Sequence, residues 1–229
     1  MKRWKYFKQG IKAGLPVIIG YIPIGIAYGM MASELHTHLS LTMALSLFVY
    51  TGAGQMAAIN MLHTGATIFA IILTTFILNL RHIIMSTCVM DRLTDGNKFQ
   101  RALLSFFITD EVFALYVSDE HSKNNIWYFF GLGLTCWLSW AIGSFIGAQT
   151  SNLLPTVLSA SLGISLYAMF IALVIPNVRK HQKLIWVILM TCVLSWFFNC
   201  FLSSSWAMIA ATLLSAFIAV FFIDLEDLS

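Results

Sequence analysis

Residues 66–90 read ATIFAIILTTFILNLRHIIMSTCVM, and Arg81 is the charged side chain among them. The run exceeds the roughly 20 apolar residues that a membrane-spanning helix needs. The next apolar run, Ala102 to Val117, reads ALLSFFITDEVFALYV and carries Asp110 and Glu111. A charge at the centre of a membrane helix costs roughly 2.5–3.5 kcal/mol on insertion scales, so three cost about 8–10 kcal/mol. That is comparable to the net stability of a whole domain, roughly 5–15 kcal/mol. Residues kept against such a penalty are the first candidates for function.

The rest of the chain fits this reading. Of 229 residues, 59% are hydrophobic and 10% charged, and mean hydropathy is +0.83. Soluble domains average about 25% charged residues. The sequence predicts an all-α polytopic integral membrane protein of the cell membrane, with one transmembrane domain over residues 1–229. Net charge is +3, unevenly spread: Lys2, Arg3, Lys5, Lys8 and Lys12 crowd the start, and Asp224, Glu226 and Asp227 lie near the end. Residues 1–12 read as a basic cytoplasmic tail, an orientation signal rather than a nucleic-acid surface. The following apolar run is long, holds two prolines and lacks a small-residue cleavage site, which argues against a cleaved signal peptide. Cys88, Cys136, Cys192 and Cys200 lie in or at the ends of apolar runs without CxxC spacing, and read as buried small hydrophobes.

Polar breaks mark eight apolar segments, about 13–33, 41–62, 66–90, 102–118, 126–148, 157–176, 184–201 and 205–223. Three basic stretches belong on the cytoplasmic side: the tail, the loop with Arg92, Lys98 and Arg101, and the loop with Arg179, Lys180 and Lys183. Three segments separate each stretch from the next, and an odd number of full crossings cannot return to the same side. The sequence therefore predicts about six full crossings plus two broken or re-entrant elements, with both termini cytoplasmic. The alternative is seven or eight full crossings. The first break falls in Tyr50-Thr51-Gly52-Ala53-Gly54-Gln55, where Gly52 and Gly54 tolerate positive φ and weaken helix. The second falls in the short, charged segment 102–118. Irregular backbone at membrane depth needs protein or water around it. The matching triplets hint at an internal duplication. Pro23 and Gly25 suggest a helix break or kink in the first segment. Gly25 with Gly29, and Gly143 with Gly147, form small-xxx-small faces suited to close helix packing.

Depth counting joins the charged segments. Arg81 lies about 15 Å in from the loop at Asp91, and Asp110 about 14 Å in from Arg101, at about 1.5 Å rise per residue. Arg81 and the Asp110–Glu111 pair are then expected to meet near mid-membrane. Adjacent helical residues face about 100° apart, so one acid can pair with Arg81 while the other faces a path. The surplus carboxyl must be protonated, hydrated or bound to a cation. A purely structural ion pair remains the competing reading. Asn79 and His82 flank Arg81; Asn79 can bridge backbone, and His82 can titrate near neutral pH. No spacing predicts a metal or cofactor, and no HExxH or GxSxG suggests an enzyme.

Four stretches carry a family resemblance: Gly20-Tyr21-Ile22-Pro23-Ile24-Gly25-Ile26-Ala27-Tyr28-Gly29, Val49-Tyr50-Thr51-Gly52-Ala53-Gly54-Gln55, Asn79-Leu80-Arg81-His82 and Thr109-Asp110-Glu111-Val112-Phe113-Ala114. With them the chain resembles the AzlC family of branched-chain amino acid permeases, the LIV-E exporters. Thr51 and Gly54 stand where the family motif has Ala and Ser. The resemblance implies export of leucine, isoleucine, valine and similar apolar amino acids, driven by the proton gradient, together with a small AzlD-type membrane subunit. Gly52, Gly54, Gln55, Asn79, Arg81, His82, Thr109, Asp110 and Glu111 are the expected substrate or coupling residues. On that reading a half-helix starting near Gln55 offers its positive end to the substrate carboxylate, and Asp110 or Glu111 takes the ammonium or a proton. The alternatives are export of another small amphipathic metabolite, or a scaffold subunit whose charges only hold helices together. No substrate role is expected for residues 127–222.

Overall fold

A computed structural model describes residues 2–119, 124–151, 171, 174, 175, 178, 179, 182–202 and 204–222. The expected segment 157–176 falls largely outside these, as do the acidic residues at the end. The described residues are helical, and they fall into two compact units, Met1–Phe170 and Ile171–Ser229.

The first unit is built on one close helix pair. α1 (Lys2–Ala13) is followed after Gly14 by α2 (Leu15–Glu34), and both lie along α8 (Ile126–Thr150). Glycines set the approach. A Cβ at Gly29 would stand 2.2 Å from the Ser144 carbonyl oxygen, and one at Gly147 would stand 2.0 Å from that of Ile26. Gly25 and Gly143 meet in the same way. The two small-xxx-small faces therefore pack against each other. Dispersion between close backbones replaces the hydrophobic drive that lipid cannot supply. Contacts rise together along both chains, from Gly10 at Tyr128 through Gly25 at Gly143 to Gly29 at Ser144, so the helices run parallel.

α2 remains helical across Pro23 and Gly25, which corrects the helix break expected there. Pro23 removes a backbone donor, but a neighbouring helix can support the chain at such a point. At Gly25 that neighbour is α8, at the Trp140 carbonyl.

Between α2 and α8 lie two hairpins and one long helix. The first hairpin descends through α3 (Leu39–Ala44) and a π-helical turn (Leu45–Val49), and returns as α4 (Gly52–His63). The contacts trace its path. Tyr28 Oη donates to the Thr42 carbonyl on entry, Tyr50 faces Tyr21 at the tip, and Asn60 reaches Met31 on return. The element enters and leaves at the same end of α2. α5 (Ile68–Arg92) then runs to the other end. The second hairpin enters as α6 (Lys98–Ser105) and returns as α7 (Asp110–Ser118). Arg101 donates to the Met90 carbonyl, Asp110 meets Arg81, and Arg92 donates to the Val117 carbonyl. It too enters and leaves at one end. Arg3 and Tyr6 of α1 share a cavity wall with Asp95, Gly96 and Gln100, so the first two basic stretches lie at the same end of this unit.

α2, α5 and α8 are each long and apolar enough to cross a membrane. α5 is exposed along much of its length, including Ile68, Phe69, Ile72, Phe76 and Ile84. Cys136 is buried, whereas Cys88, Cys192 and Cys200 are exposed, against the expectation that all four are interior. In the second unit α9 (Leu184–Asn199) packs on α10 (Ser204–Phe222), and Thr191 Oγ1 donates to Ser215 Oγ at 2.8 Å.

Candidate functional site

The tips of the two hairpins meet. In the first, Tyr50 adopts the left-handed conformation, φ 45 and ψ 48, and Thr51 is extended before α4 begins at Gly52. In the second, the chain leaves α6 at Phe106, is extended at Thr109 and starts α7 at Asp110. The Tyr50 and Phe106 rings lie 6.0 Å apart. Two interrupted helices thus begin beside one cavity of about 120 Å³, whose wall includes Tyr50, Gly52, Arg81, His82, Asp110 and Glu111.

The α4 start differs from its expected form. The break lies at Tyr50–Thr51, one turn before Gln55, and neither Gly52 nor Gly54 has positive φ. These glycines answer to space instead. A Cβ at Gly52 would meet the Trp140 ring at 2.8 Å, and one at Gly54 would meet Thr51 Cγ2 at 2.9 Å. Thr51 does not cap the helix with its side chain; its hydroxyl donates to Asn79 Oδ1 at 2.8 Å. The first N–H groups of a helix have no partner within it, and their dipoles add to a partial positive charge. Here that end lies beside the cavity and the N-cap side chain makes no cap to it.

The α7 start is acidic and capped. Thr109 Oγ1 accepts from the Val112 N–H, and Tyr21 Oη lies 2.8 Å from the same oxygen. Tyr21 donates to Glu111 Oε2 at 2.5 Å. A phenol has one proton to give, so Thr109 is the donor to Tyr21. The order is Thr109 to Tyr21 to Glu111. Glu111 is 5% exposed and held by the Tyr21 hydroxyl. Asp110 takes the other role, with Oδ2 3.0 Å from Arg81 Nη1. The two adjacent acids thus divide, one to the base and one to the interior.

Of the expected residues, Gly52, Arg81, His82, Thr109, Asp110 and Glu111 line the cavity, whereas Gly54, Gln55 and Asn79 stand behind its wall. Gln55 is fully buried, and its amide is spent on structure. Nε2 donates to Ser46 Oγ at 3.2 Å, and Trp140 Nε1 donates to Oε1 at 3.0 Å. Ser46 in turn donates to Ser144. This net ties the first hairpin to α8. Asn79 anchors Thr51 from α5. His82 also borders a second groove with Ser86, Met90 and Arg101.

Trp140, Tyr21, Tyr50, Ile24 and Met56 also line the wall, with Thr51 and Ala53, without having been singled out as site residues. Tyr21 and Tyr50 lie inside the family-like stretches, which is the signal that was there to use. Trp140 comes from the half where no role was expected, and only the close α2–α8 contact brings it in.

Comparisons with known proteins show the family. The family model described as AzlC protein matches residues 16–154, a span that holds both hairpins and the cavity. The chain is 32% identical to "Inner membrane protein YgaZ" of Escherichia coli K12 over 186 residues, 78% of this chain and 76% of that protein. It is 32% identical to a membrane protein of Archaeoglobus fulgidus over 181 residues, 77% of this chain and 78% of the other. It is also 23% identical over 182 residues to the "Branched-chain amino acid transport protein AzlC" of Bacillus subtilis, covering 79% and 71% of the two chains. No solved structure matches.

Proposed function

Because the chain belongs to the AzlC family, we propose that it is the large subunit of a membrane permease exporting leucine, isoleucine, valine and similar apolar amino acids. The observation that carries this reading is the cavity between the two helix starts, with an uncapped positive end at Gly52 and carboxylates at Asp110 and Glu111. A zwitterion has complementary charges: its carboxylate suits the α4 start, and its ammonium suits an acid of α7. Ile24, Met56 and Trp140 supply apolar wall for the side chain. Such a wall separates substrates differing by one methylene by only roughly 1–3 kcal/mol, so specificity among branched side chains is broad.

At about 120 Å³ the cavity is smaller than the roughly 300–1,000 Å³ of ordinary ligand sites. Transport then requires the hairpin tips at Tyr50 and Phe106 to part. Glu111 is the coupling group of this scheme, passing a proton as the substrate moves. The chain has six full crossings and two re-entrant hairpins, with the basic tail in the cytoplasm. A small AzlD-type subunit completes the permease.

One observation favours a second reading. The Arg81–Asp110 pair joins α5 to α7 and can act as a clamp in a subunit that only supports its partner.

The test is efflux from cells loaded with leucine-, isoleucine- or valine-containing dipeptides, with and without this protein and its small partner. Faster efflux and lower internal pools are expected with the protein. Unchanged efflux with both subunits in the membrane rejects the exporter reading.

A further inference from the structure

Tyr50 presents a feature that the packing does not use. Its side chain is 4% exposed and its hydroxyl has no hydrogen-bond partner among the described residues. Tyr21 and Thr109 are the polar neighbours of that hydroxyl, near it but outside hydrogen-bonding geometry. A buried polar group without a partner is destabilising. The backbone is also in an unfavourable state. A bulky residue at φ 45 is an outlier of the kind that persists only where surrounding structure enforces it. Both penalties fall on one residue, in the wall of the cavity and directly before the N-cap of α4.

We infer that Tyr50 is a ligand-binding residue whose hydroxyl donates a hydrogen bond to the substrate carboxylate. The inference rests on the amino acid reading of the same cavity and adds a residue to it. The left-handed turn performs a definite task. It ends the π-helical segment and reverses the chain, so the residue before the helix start faces the cavity that the helix start also faces. The ring is held by Tyr21 edge-on at 6.5 Å and by Phe106 at 6.0 Å. An apolar residue at 50 keeps those ring contacts if it is phenylalanine. Tyrosine adds only the hydroxyl, which gains its partner when the ligand arrives. The same residue touches Phe106 of the opposite tip, so ligand capture and the parting of the hairpins share one side chain.

The experiment uses the full-length protein, purified in mild detergent with whatever subunit accompanies it, as wild type and Tyr50→Phe. Thermal unfolding is followed with and without leucine, and leucine affinity is measured by titration. Tyr50→Phe without leucine is expected to melt at the wild-type temperature or above it, because an unpartnered buried hydroxyl has been removed. Its leucine affinity is expected to fall about 10- to 100-fold, the loss of one hydrogen bond to a charged group. The leucine-induced rise in melting temperature shrinks accordingly. A lower melting temperature without leucine overturns the inference by showing that the hydroxyl is structural. Unchanged affinity overturns it as well. If wild type responds to no branched-chain amino acid, the substrate reading itself fails, and this contact with it.

Discussion

Arg81 and Asp110 stand 3.0 Å apart and join the long helix α5 to the first turn of α7. Glu111, the next residue, turns away from that pair and accepts from Tyr21 instead. The acids therefore have separate tasks, which mutation can separate. Asp110→Asn and Glu111→Gln are each expected to lower leucine transport about tenfold or more, the scale of one charge-assisted hydrogen bond, while membrane levels stay near wild type. Initial transport rates and immunoblots of membranes check this. The double variant Arg81→Gln with Asp110→Asn decides between roles. Its transport remains lost if Asp110 meets substrate, and returns if the pair is only a clamp.

The hairpin paths predict sidedness. Both arms of the first hairpin lie at the far end of α2 from the basic tail, and both arms of the second lie near that tail. In a background without exposed cysteines, His63→Cys is expected to react with an impermeant maleimide from outside, and Asp95→Cys only after permeabilisation. Protection of position 63 in intact cells contradicts a re-entrant first hairpin.

Glycine substitutions separate space from conformation. Gly29→Ala forces a methyl against the Ser144 carbonyl, where its Cβ would stand at 2.2 Å, so the helices must move apart. The cost is about 1–3 kcal/mol, as for other overpacked interiors. Gly65 has open space but φ 75, and alanine there costs roughly 1–2 kcal/mol from the left-handed backbone alone. Detergent-solubilised Gly29→Ala is expected to melt lower and with loss of ligand response. Gly65→Ala is expected to melt slightly lower and still bind.

Gln55 bridges Ser46 and Trp140, so Gln55→Leu strands the buried Trp140 N–H, at a cost of roughly 1–3 kcal/mol, and removes a donor from Ser46, which keeps its bond to Ser144. A fall in melting temperature larger than that of Asp110→Asn is expected. Equal stability of the two variants shows that the bridge is dispensable.

Much of this arrangement was legible because some distances are counted along the chain. Arg81 and Asp110 lie at similar depth from one shared loop, and a short loop keeps their segments adjacent. The break near Tyr50 was visible through its glycines, although their reason is Trp140 and Thr51 rather than their own φ. Pro23 does not interrupt α2, and α8 lies against that helix at Gly25. Trp140 and the inward turn of Gln55 depend on contacts 85 residues apart, which no local pattern records. The division of Asp110 from Glu111 followed from helix geometry, whereas the phenol that receives Glu111 came from a different helix, α2.

The most direct measurement is leucine counterflow in liposomes holding the purified protein with its partner. The account predicts that unlabelled leucine, isoleucine or valine on one side accelerates entry of labelled leucine from the other, that lysine does not, and that Glu111→Gln abolishes the acceleration. Leucine flux that no opposing substrate accelerates, or that survives both Asp110→Asn and Glu111→Gln, contradicts a carrier working through this cavity.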